Sequence, residues 1–271
     1  MRGTTRTPWT SSGRSKNDYS QDARKRDLQL EAKAHIAVQQ WIDHGAFQGG
    51  LAVRAEGICE IHRRFCDFLP EDLLWVEDPA TKKRVRLAPG ELRKLDLRVG
   101  NHVAVGPGAV PRFLERFAQV YGNAGKTESI ISTAAAHHRL LWIHPFMDGN
   151  GRVARLMSHA MMLDRLDSGA VWSVARGLAR KVQEYKRLHS NCDVPRRNDP
   201  DGRGALSEEA LAESTQFFLT VCIDQVNFME SPGSSRPPAD LHSAVGGGGN
   251  PARPITPQVG RHSRSRAVPA T

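Results

Sequence analysis

Apolar residues recur every three or four positions along most of this chain, and that spacing predicts helices. Glycine pairs, prolines and polar N-cap residues interrupt the pattern and mark the ends of its segments. The sequence therefore predicts an all-α bundle. Its helices would cover about 27–44, Leu51–Phe68, 111–121, a segment capped by Thr127, a segment from Arg152, Val171–His189 and a last segment capped by Ser207.

Residues 72–111 depart from the helical pattern. The segments Lys82–Leu87 and Leu95–Val105 are rich in strand-forming residues, and turn residues lie beside them. A short β-hairpin on a helical scaffold is one interpretation, and an ordinary loop over an edge of the core is the other. The candidate hairpin residues are Val99, Gly100, Asn101, His102 and Val103.

Two of the predicted helices flank one short polar stretch, residues 144–155, which reads HPFMDGNGRVAR. This stretch predicts a tight loop that leads into a helix N-terminus, where free N–H groups and the helix dipole attract anions. The expected core positions before the loop are Ile130, Ile131, Ala134, His138, Leu141 and Trp142. Those after it are Val153, Leu156, Met157, Ala160 and Met161.

The net charge of +9 is confined to the two ends of the chain. Residues 1–30 carry seven Lys and Arg against three Asp, and residues 231–271 carry five Arg against one Asp, so the middle is nearly neutral. Nucleic-acid binding is therefore suggested only weakly, and only by the tails. The composition predicts a flexible segment over 1–26, one folded domain over 27–230, and a disordered basic tail over 231–271.

Nothing in the sequence indicates export or a membrane. No apolar run approaches the roughly 18 residues that cross a bilayer, and the N-terminus lacks the apolar stretch of a signal peptide. A cytoplasmic protein is the expectation. Four cysteines without CxxC spacing are then expected to be reduced and structural: Cys59, Cys66, Cys192 and Cys222.

The chemistry of residues 144–155 begins with a base and a carboxylate. His144 is the group in this stretch that titrates near neutral pH, so it suits general-base work on a hydroxyl. Asp148 offers the hard oxygen ligand that Mg²⁺ prefers when it bridges nucleotide phosphates. Each residue alone also has an ordinary explanation, as a structural histidine or a solvated carboxylate.

Five further residues favour phosphate binding. Gly149 and Gly151 allow positive φ, so that backbone N–H groups converge on an anion, and Asn150 adds an amide donor. Arg152 and Arg155 lie three positions apart on one helix face and suit bidentate phosphate contacts. An Asn-Gly turn or an arginine on a solvated face would be commonplace singly. Together with His144 and Asp148, they indicate phosphoryl or nucleotidyl transfer.

The string resembles the signature of the Fic (Fido) family, HxFx(D/E)GNGRxxR, with every specified position filled. Looser similarity extends over about residues 28–230. It includes Pro89-Gly90-Glu91-Leu92-Arg93, Ala135-Ala136-His137-His138, and Trp172-Ser173 with Arg176-Gly177-Leu178. The resemblance implies a Fic-type helical bundle with a small β-hairpin flap beside the active-site loop. It also implies Mg²⁺-dependent transfer of AMP from ATP to a Ser, Thr or Tyr hydroxyl of a protein.

The resemblance assigns a role to each motif residue. His144 would deprotonate the hydroxyl, Phe146 would pack inward to fix the loop, and Asp148 would hold Mg²⁺. Gly149, Asn150 and Gly151 would cradle the α-phosphate, while Arg152 and Arg155 would neutralise the β- and γ-phosphates. A flap over about Arg93–Val105 would align a segment of the target protein by backbone pairing.

The resemblance leaves both donor and regulation open. Doc relatives carry Lys at the position of Gly151 and transfer phosphate, so this glycine favours AMP, although some relatives use other nucleotide-linked donors. Many Fic proteins carry an inhibitory helix, (S/T)xxxE(G/N). The first glutamate here is Glu31, and the one followed by Gly or Asn is Glu56, with Ala52 four positions before it. Glu56 is therefore a weak candidate. The segment Thr10–Asn17 resembles the inhibitory helix loosely, but it has Lys16 or Ser15 at the position of the glutamate.

Three functions remain as alternatives: an AMP transferase, a catalytically idle or other-donor Fic-fold module that binds a partner through the flap, and a basic-tailed nucleic-acid binder. The first two predict a protein partner docked on the flap, and auto-AMPylation is possible under the first. A separate antitoxin-like regulator and a homo-oligomer are compatible with the sequence. The expected cofactor is Mg²⁺, with ATP as co-substrate.

Overall fold

Helices build most of the chain, as the hydrophobic pattern predicts. The computed structural model describes residues 19–48, 50–78, 81–100, 102–166 and 173–230. The expectations for the tails, for Thr10–Asn17, for Asn101 and for Trp172 lie outside these residues. The helices are α1 Ala23–Trp41, α2 Ala55–Asp67, α3 Val110–Tyr121, α4 Lys126–Ile143, α5 Asn150–Arg165, α6 Val174–Arg180, α7 Val182–Asn191 and α8 Glu208–Glu230. Shorter turns are π-helical (Ile42–Ala46) or 3₁₀ (Leu51–Val53, Glu71–Leu74, Pro107–Ala109).

Two small antiparallel sheets accompany the helices. Strand β1 (Trp75–Glu77) pairs with β2 (Arg84–Arg86), with Val76 opposite Val85. Strand β3 (Arg98–Val99) pairs with β4 (His102–Val103), with Val99 opposite His102. The second pair is the predicted hairpin, so the loop interpretation is wrong for this segment. Strand β2 lies within the predicted β-prone segment Lys82–Leu87, whereas the sequence does not predict its partner, β1.

Several helix boundaries differ from the sequence prediction. Helix α1 begins at Ala23, where the side chain of Asp22 accepts a hydrogen bond from the Lys25 N–H. The N-cap of α4 is Gly125 rather than Thr127. The single helix expected over Val171–His189 is two helices that meet at Lys181, and Ser173 caps the first of them. The predicted cap Ser207 is confirmed, since its hydroxyl accepts from the Ala210 N–H at 3.1 Å.

Helix α5 lies at the centre of the fold and packs against α1, α2, α4 and α6. The core has two clusters: a larger one around α2, α4 and the start of α5, and a smaller one that joins α4 and α5 to α6–α8. Ile131, expected in the core, is 52% exposed. Buried members of the larger cluster include Ile58, Ile61, Leu114, Leu140, Phe146, Val153 and Met157, and of the smaller one Val174, Leu178, Phe218 and Val221.

Close approach of α6 and α8 depends on one glycine. A Cβ on Gly177 would lie 2.5 Å from the Cγ1 of Val221, a distance at which α8 would have to shift. Helix α7 also packs against α8, and its Tyr185 packs against the smaller core cluster. All four cysteines are free thiols, as expected. None of the helices in the described part of the chain has the length and apolar character needed to cross a membrane.

Candidate active site

Helix α4 ends at His144 in an uncommon backbone conformation. Its φ of 54° and ψ of 64° place His144 in the left-handed region, which non-glycine residues seldom adopt. The His144 N–H still donates to Leu140 O at 2.9 Å, so the residue closes the helix as its C-cap. The chain then reverses through Pro145 and begins α5 six residues later. This turn brings the end of one helix against the N-terminus of the next.

The imidazole of His144 uses one nitrogen for a hydrogen bond and leaves the other without a partner among the described residues. Its Nδ1 lies 3.2 Å from Leu141 O, and a carbonyl oxygen only accepts, so Nδ1 carries the proton. The Nε2 lone pair is then available. Burial lowers the pKa of His144 to about 4, and the nearby charge of Arg93 acts in the same direction. The ring is therefore neutral at physiological pH and able to accept a proton.

Phe146 and Asn150 hold the loop shut. Phe146 is fully buried, and its N–H donates to the Asn150 Oδ1 at 2.9 Å. The Asn150 Nδ2 donates back to Phe146 O at 2.8 Å. The predicted inward packing of Phe146 is what the structure shows. The amide that sequence reasoning assigned to a phosphate instead bonds the loop backbone, so a role of that side chain in binding phosphate stays a prediction.

The N-terminus of α5 begins after a glycine that the geometry requires. Gly149 has φ of 81°, and a Cβ there would lie 3.4 Å from the ring of His62. Gly151 is helical, so the expectation of positive φ at this second glycine is wrong. The N–H groups of Asn150 and Gly151 have no acceptor inside the helix, because an α-helix cannot pair its first donors. They remain suited to an anion.

The two motif arginines have different surroundings. Arg152 lies over the ring of Phe65 and forms an ion pair with Glu31 of α1. Arg155 is buried, and burial lowers its pKa, yet it forms no ion pair within the described residues. Glu56, the weak inhibitory candidate, lies exposed on the first turn of α2, and no ion pair joins it to either arginine in the described structure.

Asp148 is the exposed member of the loop. The described residues contain no group of three or more His, Cys, Asp or Glu side chains that could hold a metal ion by themselves. A single exposed carboxylate beside free N–H groups suits Mg²⁺, which binds through one or two carboxylates together with phosphate oxygens. The donor set therefore fits a magnesium ion that arrives with a nucleotide.

Comparison with known proteins identifies a domain in part of this chain. The Fic/DOC family profile matches residues 52–162, which span α2 to α5 and the whole loop. The chain contains a Fic/DOC domain. This confirms the resemblance seen in the sequence.

The relatives of this Fic/DOC domain include two fly proteins named protein adenylyltransferase Fic. The one from Drosophila grimshawi is 34% identical over 116 residues, which are 42% of this chain and 21% of that protein. The one from Drosophila persimilis is 31% identical over 115 residues, 42% of this chain and 20% of that protein. The chain thus spans about a fifth of the length of these relatives.

Two solved structures are also similar. Fic-1 (residues 134–508) of C. elegans is 17% identical with a TM-score of 0.44, over 87% of this chain and 55% of that one. A Fic domain-containing signalling protein of Bacteroides thetaiotaomicron is 18% identical with a TM-score of 0.42, over 80% of this chain and 70% of that one.

Sequence reasoning missed His62, which joins three parts of the Fic/DOC domain. Its ring stacks on Phe146 with centroids 3.9 Å apart and planes within 3°. Its Nδ1 accepts from the Gly90 N–H at 2.9 Å, so Nε2 carries the proton and donates to the backbone of Asp148. Burial lowers the pKa of His62 to about 4. A neutral histidine thus positions the loop that carries the candidate metal ligand.

Arg93 belongs to a segment that resembles the family, but the sequence does not predict its role. The side chain is 3% exposed and donates to four carbonyls. Its Nε lies 2.7 Å from His144 O, and Nη1 lies 2.8 Å from Leu95 O. The Nη2 group donates to Val105 O and, at 3.4 Å, to Ile143 O. One guanidinium therefore ties both ends of the flap to the residue in the left-handed conformation.

The flap lies beside the motif loop, and its apolar side chains face outward. Val99 is 37% exposed and Val103 is 64% exposed. Gly100 has φ of 61° at the turn. His102 points the other way, since its Nε2–H donates to Trp142 O at 2.7 Å on the last turn of α4. Of the predicted flap residues, His102 thus anchors the hairpin to α4, whereas the valines form an exposed apolar surface.

A third missed feature is the contact of α1 with α5. Glu31 and His35 lie one turn apart on α1, and both approach the motif arginines. His35 is buried, and burial lowers its pKa well below the usual value, with Arg155 adding to the effect. Its Nδ1 has no partner in the described structure. No signal in the sequence of α1 marks these residues, because helix packing alone brings them to the site.

Proposed function

We propose that this protein transfers AMP from ATP to a hydroxyl of a target protein in a Mg²⁺-dependent reaction. The observation that carries the proposal is the neutral imidazole of His144 beside a helix N-terminus. Among the described residues, its Nε2 has no hydrogen-bond partner and the buried Arg155 has no ion pair. A base and a phosphate-binding positive end are the two elements that nucleotidyl transfer needs. The names of the fly relatives support the same activity.

The reaction assigns one task to each group. The Nε2 of His144 takes the proton of the target hydroxyl as its oxygen attacks the α-phosphorus of ATP. The new P–O bond forms while the bond to the β-phosphate oxygen breaks, and pyrophosphate leaves. The N–H groups at the start of α5 stabilise the charge that develops on the α-phosphate oxygens. Arg152 and Arg155 neutralise the departing phosphates.

Magnesium supplies charge neutralisation between the phosphates when it is bound. Asp148 would hold it from the exposed side of the loop. His62 positions Asp148 through a hydrogen bond to its backbone, and the stacking of the His62 ring on Phe146 holds the loop in place. The flap valines would contact the target segment, whose backbone would pair with the hairpin edge.

The position of the label identifies the transferred group. The full chain is incubated with a cell lysate, Mg²⁺ and ATP labelled either at the α- or at the γ-phosphate. Labelled protein bands from α-labelled ATP alone are expected, and His144→Ala should abolish them, while His44→Ala, at an exposed histidine, should not. Equal labelling by His144→Ala would refute the proposal. Labelling from the γ-phosphate would indicate phosphate transfer instead.

One observation favours a restrained form of the same enzyme. The ion pair of Glu31 with Arg152 neutralises one of the two phosphate-binding arginines. A nucleotide that uses Arg152 has to displace this carboxylate. The second candidate function is therefore an AMP transferase that is inactive until α1 moves away from Arg152. It differs from the first candidate in that the wild-type chain would show no activity.

A further inference from the structure

Arg155 is a buried charge whose stabilisation needs an explanation. Buried guanidinium groups are normally paired with carboxylates, because desolvation without a partner costs several kcal/mol. Arg155 has no such pair within the described residues; Glu31, whose charge acts on Arg155, pairs with Arg152. The side chain that hydrogen-bonds Arg155 is that of Tyr185, a neutral phenol on α7.

The direction of the hydrogen bonds behind Tyr185 can be worked out atom by atom. The Ser158 hydroxyl donates to Ala154 O at 2.8 Å, so its lone pair faces His137. His137 Nδ1 lies 2.9 Å from that oxygen and must therefore carry the proton. His137 Nε2 is left as an acceptor, and it lies 2.8 Å from the Tyr185 hydroxyl. The phenol proton thus points at His137.

The surroundings hold each member of this chain in one state. His137 is fully buried, and burial lowers its pKa well below the usual value, so it stays neutral and keeps Nε2 as an acceptor. Burial raises the pKa of Tyr185, so the phenol keeps its proton. Because the Tyr185 O–H donates its hydrogen bond to His137, the lone pairs of the Tyr185 oxygen face Arg155.

We propose that Tyr185, set by His137 and Ser158, is a positioning residue that aims Arg155 at the terminal phosphates of the nucleotide. A neutral acceptor orients the guanidinium without cancelling its charge, which a carboxylate in the same place would do. The two motif arginines therefore differ: Arg152 is masked by Glu31, whereas Arg155 keeps its charge for the ligand. The inference rests on the proposed function, since it presumes a nucleotide at the loop.

Tyr185→Phe removes the hydroxyl and keeps the ring. Binding of ATP with Mg²⁺ and binding of AMP are measured by calorimetry on the full chain, in a Glu31→Gln background where Arg152 has lost its partner. Loss of one hydrogen bond to a charged group should weaken ATP binding about tenfold. Binding of AMP, which lacks the terminal phosphates, should be unchanged. Tyr121→Phe is the matched control, because Tyr121 is a half-buried tyrosine on α3.

A double-mutant cycle separates positioning from packing. If Tyr185 acts through Arg155, then Tyr185→Phe should have no further effect on ATP binding once Arg155→Gln is present. Additive losses, or equal losses for ATP and AMP, would overturn the inference and leave a structural role. The same cycle with His137→Gln in place of Tyr185→Phe tests the relay if the phenylalanine variant unfolds.

The outcomes distinguish the two proposals. No ATP binding in the Glu31→Gln background would refute the proposed function itself. ATP binding that Tyr185→Phe leaves at the level of Tyr121→Phe would refute the positioning role alone and leave the proposed function intact.

Discussion

The carboxylate of Glu31 contacts the guanidinium of Arg152, and this pair joins α1 to the first turn of α5. Both side chains are largely withdrawn from solvent, with 20% and 15% of their surfaces exposed. The glutamate comes from a segment without the inhibitory pattern (S/T)xxxE(G/N), since Asp27 lies four positions before it and Ala32 follows. An anion already occupies one of the two arginines that the proposed reaction needs.

Glu31→Gln should therefore raise ATP affinity and the rate of auto-modification, by about tenfold for a partly buried pair. Removing the carboxylate frees Arg152 for phosphate. Calorimetry with ATP and Mg²⁺, followed by mass spectrometry for AMP on the chain, measures both effects. The control is Glu56→Gln, which removes an exposed glutamate from α2. Unchanged values for Glu31→Gln, or a gain from Glu56→Gln, would contradict the restraint.

The transfer rate should be nearly independent of pH between about 6 and 8 and fall as the pH approaches about 4. The reason is that the pKa of His144 is lowered to about 4, so the basic form is present above that value and is lost below it. Initial rates are measured alongside circular dichroism, which separates protonation of the base from unfolding. A rate that falls already between pH 7 and 6, with the fold intact, would contradict a neutral buried base.

His62 should make stability depend on pH. Its folded pKa of about 4 lies below the ordinary value of 6.5, so the unfolded chain binds the additional proton between these values. The contribution of His62 to the free energy of unfolding is fully present above about pH 6.5. It is lost as the pH falls toward 4, by about 1.4 kcal/mol per pH unit for one proton.

Denaturant titrations from pH 7 to pH 4 test this dependence. His62→Gln should lower the free energy of unfolding at pH 7 and reduce its slope with pH by up to one proton. His44→Gln, at an exposed histidine, should retain the wild-type slope. An unchanged slope in His62→Gln would show that His62 does not carry the effect.

Arg93→Lys should reduce transfer to a target protein about a hundredfold, because a single ammonium cannot reach the carbonyls of His144, Leu95 and Val105 together. Stability should fall by about 3 kcal/mol, since buried carbonyls lose their donors. Arg116→Lys, at an exposed site on α3, is the control. Activity and thermal unfolding are measured on both. Wild-type activity in Arg93→Lys would show that the flap and His144 do not depend on this clamp.

Val103→Glu should impair modification of a target protein while leaving ATP binding unchanged. Val103 is the most exposed of the large apolar residues in the flap, and a charge there opposes docking of an apolar segment. Ile131→Glu places the same charge at another exposed apolar position, on α4, and should retain both activities. Lysate labelling and calorimetry provide the two readouts. Equal labelling by both variants would exclude the flap as the docking surface.

Local information in the sequence was sufficient where short-range chemistry decides. The motif loop, the positive φ of Gly149, the cap at Ser207 and the hairpin at Val99–Val103 all follow from neighbouring residues. The same information failed at Gly151, which continues α5, and at Lys181, where one predicted helix divides into two. At both residues the local backbone preference allowed two conformations, and the packing of the surrounding helices selected one.

The sequence by itself determined the Fic/DOC domain, the helical class and the residues around His144, because these are properties of composition, spacing and one dense motif. The tertiary structure alone decided which distant side chains support them. His62, Arg93 and Tyr185 lie between 41 and 82 positions from His144. Their hydrogen bonds exist because three helices and a hairpin pack together. Contacts of this kind have no periodicity in the chain, so spacing cannot reveal them.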